Sequence, residues 1–167
     1  VIFPGPWIPD TTPELAAAVA RHALRHVGVC EDPLNSNRGP VIDGYCKRIG
    51  VPFGVPWCAA ALTRWFLDAG AAVPAGAAAS SCDEWVKWAK AHQLWTQTPA
   101  IGHAVVYGQG EDGQHIGVVV MVTPLLLSVE GNRGLEGKVT REGLLVDLGP
   151  VNVGWRIGYV RPVKTAA

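Results

Sequence analysis

Hydrophobic positions change their period midway along the chain. In TTPELAAAVARHALRHVGV, Ala16, Val19, Ala20, Ala23, Leu24 and Val27 recur at helical spacing and form one apolar stripe. A Thr and a Pro precede that run and Glu14 falls in its first turn, which is helix-start chemistry. After the loop CEDPLNSNRG, the stretch PVIDGYCKRIG predicts a short helix, with Pro40 in its first turn and Gly50 as its stop. A third helix is expected from Trp57 or Cys58, with Ala61, Leu62, Trp65 and Ala69 on its apolar side and Gly70 ending it. An Ala/Gly loop, AAVPAGAAASS, leads to a fourth helix, where Ser81 and Glu84 stand at capping-box spacing ahead of Trp85, Val86 and Trp88.

The second half reads differently. HAVVYG, HIGVVVMV, LLLSVEG, LLVDLG and IGYVRP are short, rich in β-branched or aromatic residues, and divided by Gly, Asp and Asn. GQGEDGQ suits a hairpin connection between the first two. Runs this close leave no space for helical crossovers, so the sheet should be mainly antiparallel, with about five to six strands. Helices followed by strands predict an α+β fold with the N-terminal helices packed on the sheet. The 167 residues fit one domain, with residues 1–13 as an N-terminal extension.

Charge narrows the functional classes. Fourteen basic residues balance fourteen acidic ones, and neither sign forms a long block. Binding nucleic acid by phosphate neutralisation, or a membrane through a polybasic patch, is therefore not expected. The longest apolar runs, Ile116–Val122 and Leu125–Val129, are too short to span a bilayer. The opening VIFPGPWIPD has no basic segment leading into a long apolar stretch, so no signal peptide is read there. The four cysteines, Cys30, Cys46, Cys58 and Cys82, form no CxxC pair and no zinc-like spacing. With Cys58 as a working thiol, at most one disulfide forms among the other three.

Cys58 has the most distinctive setting. It follows a Pro-Trp corner at the start of a helix, where unpaired N–H groups and the helix dipole stabilise a thiolate. His115, opening the most β-branched strand, could serve as its base. Alternation puts that imidazole on the face of Gly117 and Val119, with Gly117 leaving room beside it. Glu130 and Asn132, in SVEGN, share a face if strand geometry continues across Gly131. Either could accept a hydrogen bond from the ring nitrogen facing away from sulfur, as the third member of a triad does.

Each piece alone has an ordinary explanation: a cysteine as a small core residue, a histidine at a strand end, a turn after a strand. Cys30, Cys46 and Cys82 keep that explanation. His22 and His26 lie one helical turn apart without a third ligand, and Asp32, Asn35 and Asn37 miss the EF-hand pattern. No metal site or cofactor is expected. The Trp residues are assigned to the core, except that Trp57, beside the thiol, is expected to line a substrate groove as well.

Taken in order, PWCAAALTRWFLDAG, GQHIGVVV and SVEGN, with the lead-in SNRGPVIDGYCKRIGVP, resemble the CHAP family of cysteine, histidine-dependent amidohydrolases/peptidases. The likeness runs over roughly residues 14–162. It implies a papain-like fold and cleavage of an amide bond in the peptide stem or cross-bridge of bacterial peptidoglycan. It also implies Cys58 as nucleophile, His115 as general base and then acid, Glu130 orienting His115, and Asn132 supporting that group. A monomer acting at the bacterial cell wall, as a phage lysin, secreted remodelling enzyme or antibacterial effector, would fit. Where the family usually has Gly-Asp entering the first strand, this chain has Gly102-His103. No wall-binding module is recognisable, so targeting would come from a partner or a further segment. The competing readings are a non-catalytic wall-binding or adaptor domain on the same fold, and a cysteine hydrolase of another amide.

Overall fold

A computed structural model describes residues 8–134 and 143–165 of the chain; the first part of the expected N-terminal extension lies outside them. Four α-helices come first: α1 (Glu14–Arg25), α2 (Pro40–Ile49), α3 (Cys58–Asp68) and, after a 3-10 turn at Gly76–Ser80, α4 (Cys82–Ala91). Six strands follow: β1 (Trp95–Thr96), β2 (Ala104–Gln109), β3 (Asp112–Met121), β4 (Leu127–Arg133), β5 (Leu145–Pro150) and β6 (Arg156–Val160). They form one sheet in the order β1-β6-β2-β3-β4-β5, every neighbouring pair antiparallel. The α+β architecture with helices packed on the sheet is thus the one the pattern predicts. Among the described residues, no helix is long and apolar enough to cross a membrane.

Local chemistry accounts for most helix ends. Pro40 occupies the first turn of α2, and Gly50 closes that helix in the left-handed conformation. At α4 the Ser81 hydroxyl accepts a hydrogen bond from the Glu84 N–H at 3.3 Å, which is half of a capping box. The other half is missing: the Ser81 N–H donates to the Ala78 carbonyl and the Glu84 carboxylate pairs with Lys87. Val19, Ala20 and Ala23 of α1 are fully enclosed, whereas Leu24 and, past the helix end at Arg25, Val27 are only partly buried.

α3 is more central than an amphipathic stripe implies. Every residue from Cys58 to Thr63 is buried, since α3 packs against α1, α2, β3 and β4. Alanines at 59, 60 and 61 permit this close approach on several sides. The sheet face toward the helices carries Ile116, Val118, Val120 and Val129, which join Leu62, Trp65, Phe66 and Trp85 in the main core. The opposite face has a smaller cluster of Val105, Tyr107, Val119, Val151 and Tyr159, against which Trp155 packs. Gly102 and His103 lead into β2 by backbone pairing with Val119.

One strand boundary and one additional strand differ from the pattern in the sequence. The β2–β3 hairpin turns tightly at Gly110–Glu111, so β3 begins at Asp112 and His115 lies inside it instead of opening it. The two-residue β1, paired with β6, was not foreseen, because two residues carry no measurable alternation.

Candidate active site

The candidate site forms where the start of α3 meets β3 and β4. Cys58 is the first residue of α3, whose cap residue, Trp57, makes no side-chain capping bond, and whose first turn has no acidic residue. Nothing of the helix's own thus competes with the sulfur for its terminal N–H groups. β3 reaches the neighbouring α4 because Gly113 has no side chain; a Cβ there would overlap the Cys82 carbonyl. This approach brings His115 into a cavity of about 890 Å³ that Cys58, Cys82, Asn132 and Trp155 also line.

His115 and Glu130 form the buried axis of the site. His115 Nε2 lies 3.1 Å from Glu130 Oε2, and both side chains are nearly inaccessible to solvent. With Nε2 so engaged, Nδ1 is the ring nitrogen left for sulfur. Glu130 stands directly opposite Gly117 in the β3–β4 ladder. A Cβ on Gly117 would collide with the Glu130 side chain, so the space expected beside the imidazole is in fact occupied by the carboxylate that reaches it. Glu130 Oε1 accepts hydrogen bonds from Tyr107 and Ser128, each at 2.5 Å. Arg133 approaches the same oxygen at 4.0 Å and Asp147 at 3.9 Å.

These contacts shift the charges in a consistent direction. For Cys58, the hydrogen bond from the Cys82 thiol is the largest influence; burial opposes ionisation, but His115 and the Ala59 N–H add to the thiolate's support. The thiol is held well below its ordinary value. Burial works against a charged His115 most strongly, yet Cys58 and Glu130 together outweigh it and raise the ring to about 9. Burial likewise penalises ionised Glu130, and His115, Arg133 and Ser128 overcome it, leaving the carboxyl below its usual range. All three directions favour a thiolate–imidazolium pair anchored by a buried carboxylate. Such a pair is a competent nucleophile with an adjacent proton donor.

The structure brings Cys58, His115, Glu130 and Asn132 together, and it separates the two residues that alternation left equivalent. Glu130 takes the imidazole. Asn132 has a left-handed backbone, φ 59°, where the β4–β5 register slips, so regular alternation does not continue through it, although it lines the cavity with Cys58 and His115.

Trp57 is not among the residues that line this cavity. Its ring is fully buried, donates from Nε1 to Glu31 Oε1 at 3.0 Å, and lies 6.1 Å from the Tyr45 ring. The residue after a helix's preceding proline is turned inward here to anchor the start of α3. Trp155 lines the cavity instead, stacked against Tyr107 at 5.5 Å and nearly parallel to His115 at 6.5 Å. Its position in the loop before β6 gave no periodic signal. Tyr107 and Ser128 also went unforeseen. Alternation from His115 and Glu130 would have placed Tyr107, the register partner of His115, on the same face.

The other cysteines divide. Cys46 and Cys82 are buried core residues as expected, Cys30 is exposed, and the Cys82 sulfur lies 3.7 Å from that of Cys58. None is in a disulfide among the described residues. His26, one of the helix pair, bonds Tyr45 through Nδ1 at 2.5 Å. Asn35 and Asn37 adopt left-handed turn conformations.

No protein-family model matches the chain, and no curated protein or solved structure shows significant similarity to it.

Proposed function

We propose that this chain is a cysteine amidohydrolase or peptidase that cleaves an amide bond in the peptide part of bacterial peptidoglycan. The observation that carries the reaction type is the Cys58–His115–Glu130 alignment on an open cavity. The substrate class rests on the resemblance of the Cys, His and Glu-x-Asn segments to the CHAP family, and a papain-like relation of helix to sheet belongs to the same proposal. In this reading the Cys58 thiolate attacks the carbonyl carbon while its backbone N–H meets the developing oxyanion. His115 passes its proton to the departing amine and then removes one from the water that hydrolyses the thioester. Glu130 holds the ring's tautomer and orientation, and Asn132 supports that group from the cavity wall. The site of action is the bacterial cell wall.

Mass analysis of fragments released from purified peptidoglycan tests both substrate and bond. The wild-type chain should release peptides with a new amine or carboxyl end, and Cys58→Ala should release none while unfolding at the same urea concentration. Wild-type release by the variant would remove the mechanism. A folded, thiol-reactive protein that releases nothing would redirect the search to another amide.

A further inference from the structure

We infer that Cys82 is a resolving thiol for Cys58, so that peroxide converts the site reversibly into a Cys58–Cys82 disulfide that silences the nucleophile. The inference deepens the reading above: it rests on Cys58 being a reactive thiolate, and it needs nothing from the identity of the substrate.

Three observations carry it. The two sulfurs are 3.7 Å apart, and a disulfide requires about 2.05 Å, so bonding asks for an approach of roughly 1.7 Å. Both thiols begin helices, at α3 and α4, and both line the same cavity, which gives an oxidant access to one and room for the other to turn. Both residues are buried yet sit at the cavity wall, Cys58 with 6% and Cys82 with 8% of its residue surface accessible, against 0% for Cys46. The proximity is also built in, because the approach of β3 through Gly113 fixes the Cys82 backbone beside the site.

The chemistry balances with hydrogen peroxide as the two-electron oxidant. The Cys58 thiolate attacks one peroxide oxygen, the O–O bond breaks, and the departing hydroxide takes a proton from the His115 imidazolium to leave as water. Cys58 is then a sulfenic acid. The Cys82 sulfur attacks the Cys58 sulfur, the S–O bond breaks, and the hydroxide leaves with the Cys82 proton as a second water. The product has lost two hydrogens and has no thiolate at position 58. A dithiol reductant reverses it. Without a partner this close, sulfenic acid would proceed to sulfinic acid, which thiols do not reverse.

The test uses the intact chain in two stages. First, the reduced protein is treated with limiting iodoacetamide at about pH 6, well below an ordinary thiol pKa of ~8.5. Labelling of Cys58 ahead of exposed Cys30 is expected; its failure would remove the thiolate reading and this inference with it. Second, peroxide-treated protein is digested with trypsin without reduction. Fragments 49–64 and 65–87 should appear joined, and dithiothreitol should restore alkylation of Cys58. In Cys82→Ser, the same treatment should drive Cys58 to sulfinic acid that dithiothreitol cannot recover. If Cys58 labels readily but wild type gives the sulfinic acid and an alkylatable Cys82, the resolving assignment is overturned and the nucleophile stands.

Discussion

Glu130→Gln separates the charge of the buried carboxylate from its shape. The amide is close in size and can still accept from Tyr107 and Ser128, which now meet Oε1 at 2.5 Å. It cannot neutralise the His115 imidazolium, and its NH₂ would face a ring nitrogen that currently donates to Oε2 at 3.1 Å. His115, raised to about 9 partly by Glu130, should lose that support, and the pair should relax toward neutral thiol and neutral imidazole. An ordinary thiol with pKa ~8.5 is about 1% ionised at pH 6.5, a shortfall of ~2.7 kcal/mol from full ionisation. That upper bound is reduced because Cys82 still donates to the Cys58 sulfur. Alkylation of Cys58 by iodoacetamide near pH 6.5 should therefore slow by about 10- to 100-fold, with the rate recovering toward pH 9. Folding stability should fall by less than the ~3–5 kcal/mol for stripping one partner from a buried ion pair, since the hydroxyl bonds survive and Arg133 keeps Asp147 within 3.9 Å. Rates across the pH range, measured by mass spectrometry with urea unfolding as the folding control, decide the matter. A folded variant that alkylates at the wild-type rate near pH 6.5 would refute the carboxylate's electrostatic part in activating the thiol.

Further outcomes follow from the same contacts. Glu130's native pKa is depressed, so its ionisation contributes stability above the unfolded value of ~4.3 and loses it as pH falls through the native value; the wild-type advantage over Glu130→Gln in urea should shrink on acidification, and a constant gap would contradict it. Tyr107→Phe removes one of two hydroxyl donors to a buried charge and should cost about 1.5–3 kcal/mol at neutral pH, read from the urea midpoint; an unchanged midpoint would mean the hydroxyl does not support the carboxylate. Gly117→Ala should destabilise by about 1–3 kcal/mol through overlap with Glu130, and slow Cys58 alkylation as well. Trp57→Phe leaves Glu31 Oε1 without the indole donor and should lower stability by about 1–3 kcal/mol. Trp155→Ala should instead weaken apparent substrate affinity in fragment-release kinetics, and the reverse pattern would return Trp57 to the groove.

Local signals in the chain were enough for the frame of this protein. Pro40 with Gly50, and Ser81 with Glu84, mark helix ends through interactions within a few residues, and β-branched alternation marks strands whatever lies beside them. The setting of Cys58 was legible for the same reason, since a helix terminus acts on its own first residue. Tertiary structure decided everything that depends on who stands opposite. Period two places Glu130 on a face but cannot say that Gly117 faces it across the ladder, or that Tyr107 and Ser128 close around its other oxygen. Hydrophobicity alone cannot tell a Trp turned inward onto Glu31 from one turned outward over His115. Cys82 is 24 residues from Cys58 and looks like any small residue at a helix start; the packing of α4 and its preceding turn against α3 and β3 makes it a neighbour. Backbone preference is a short-range property, whereas the partners of a buried charge or a thiolate are chosen by packing between distant segments.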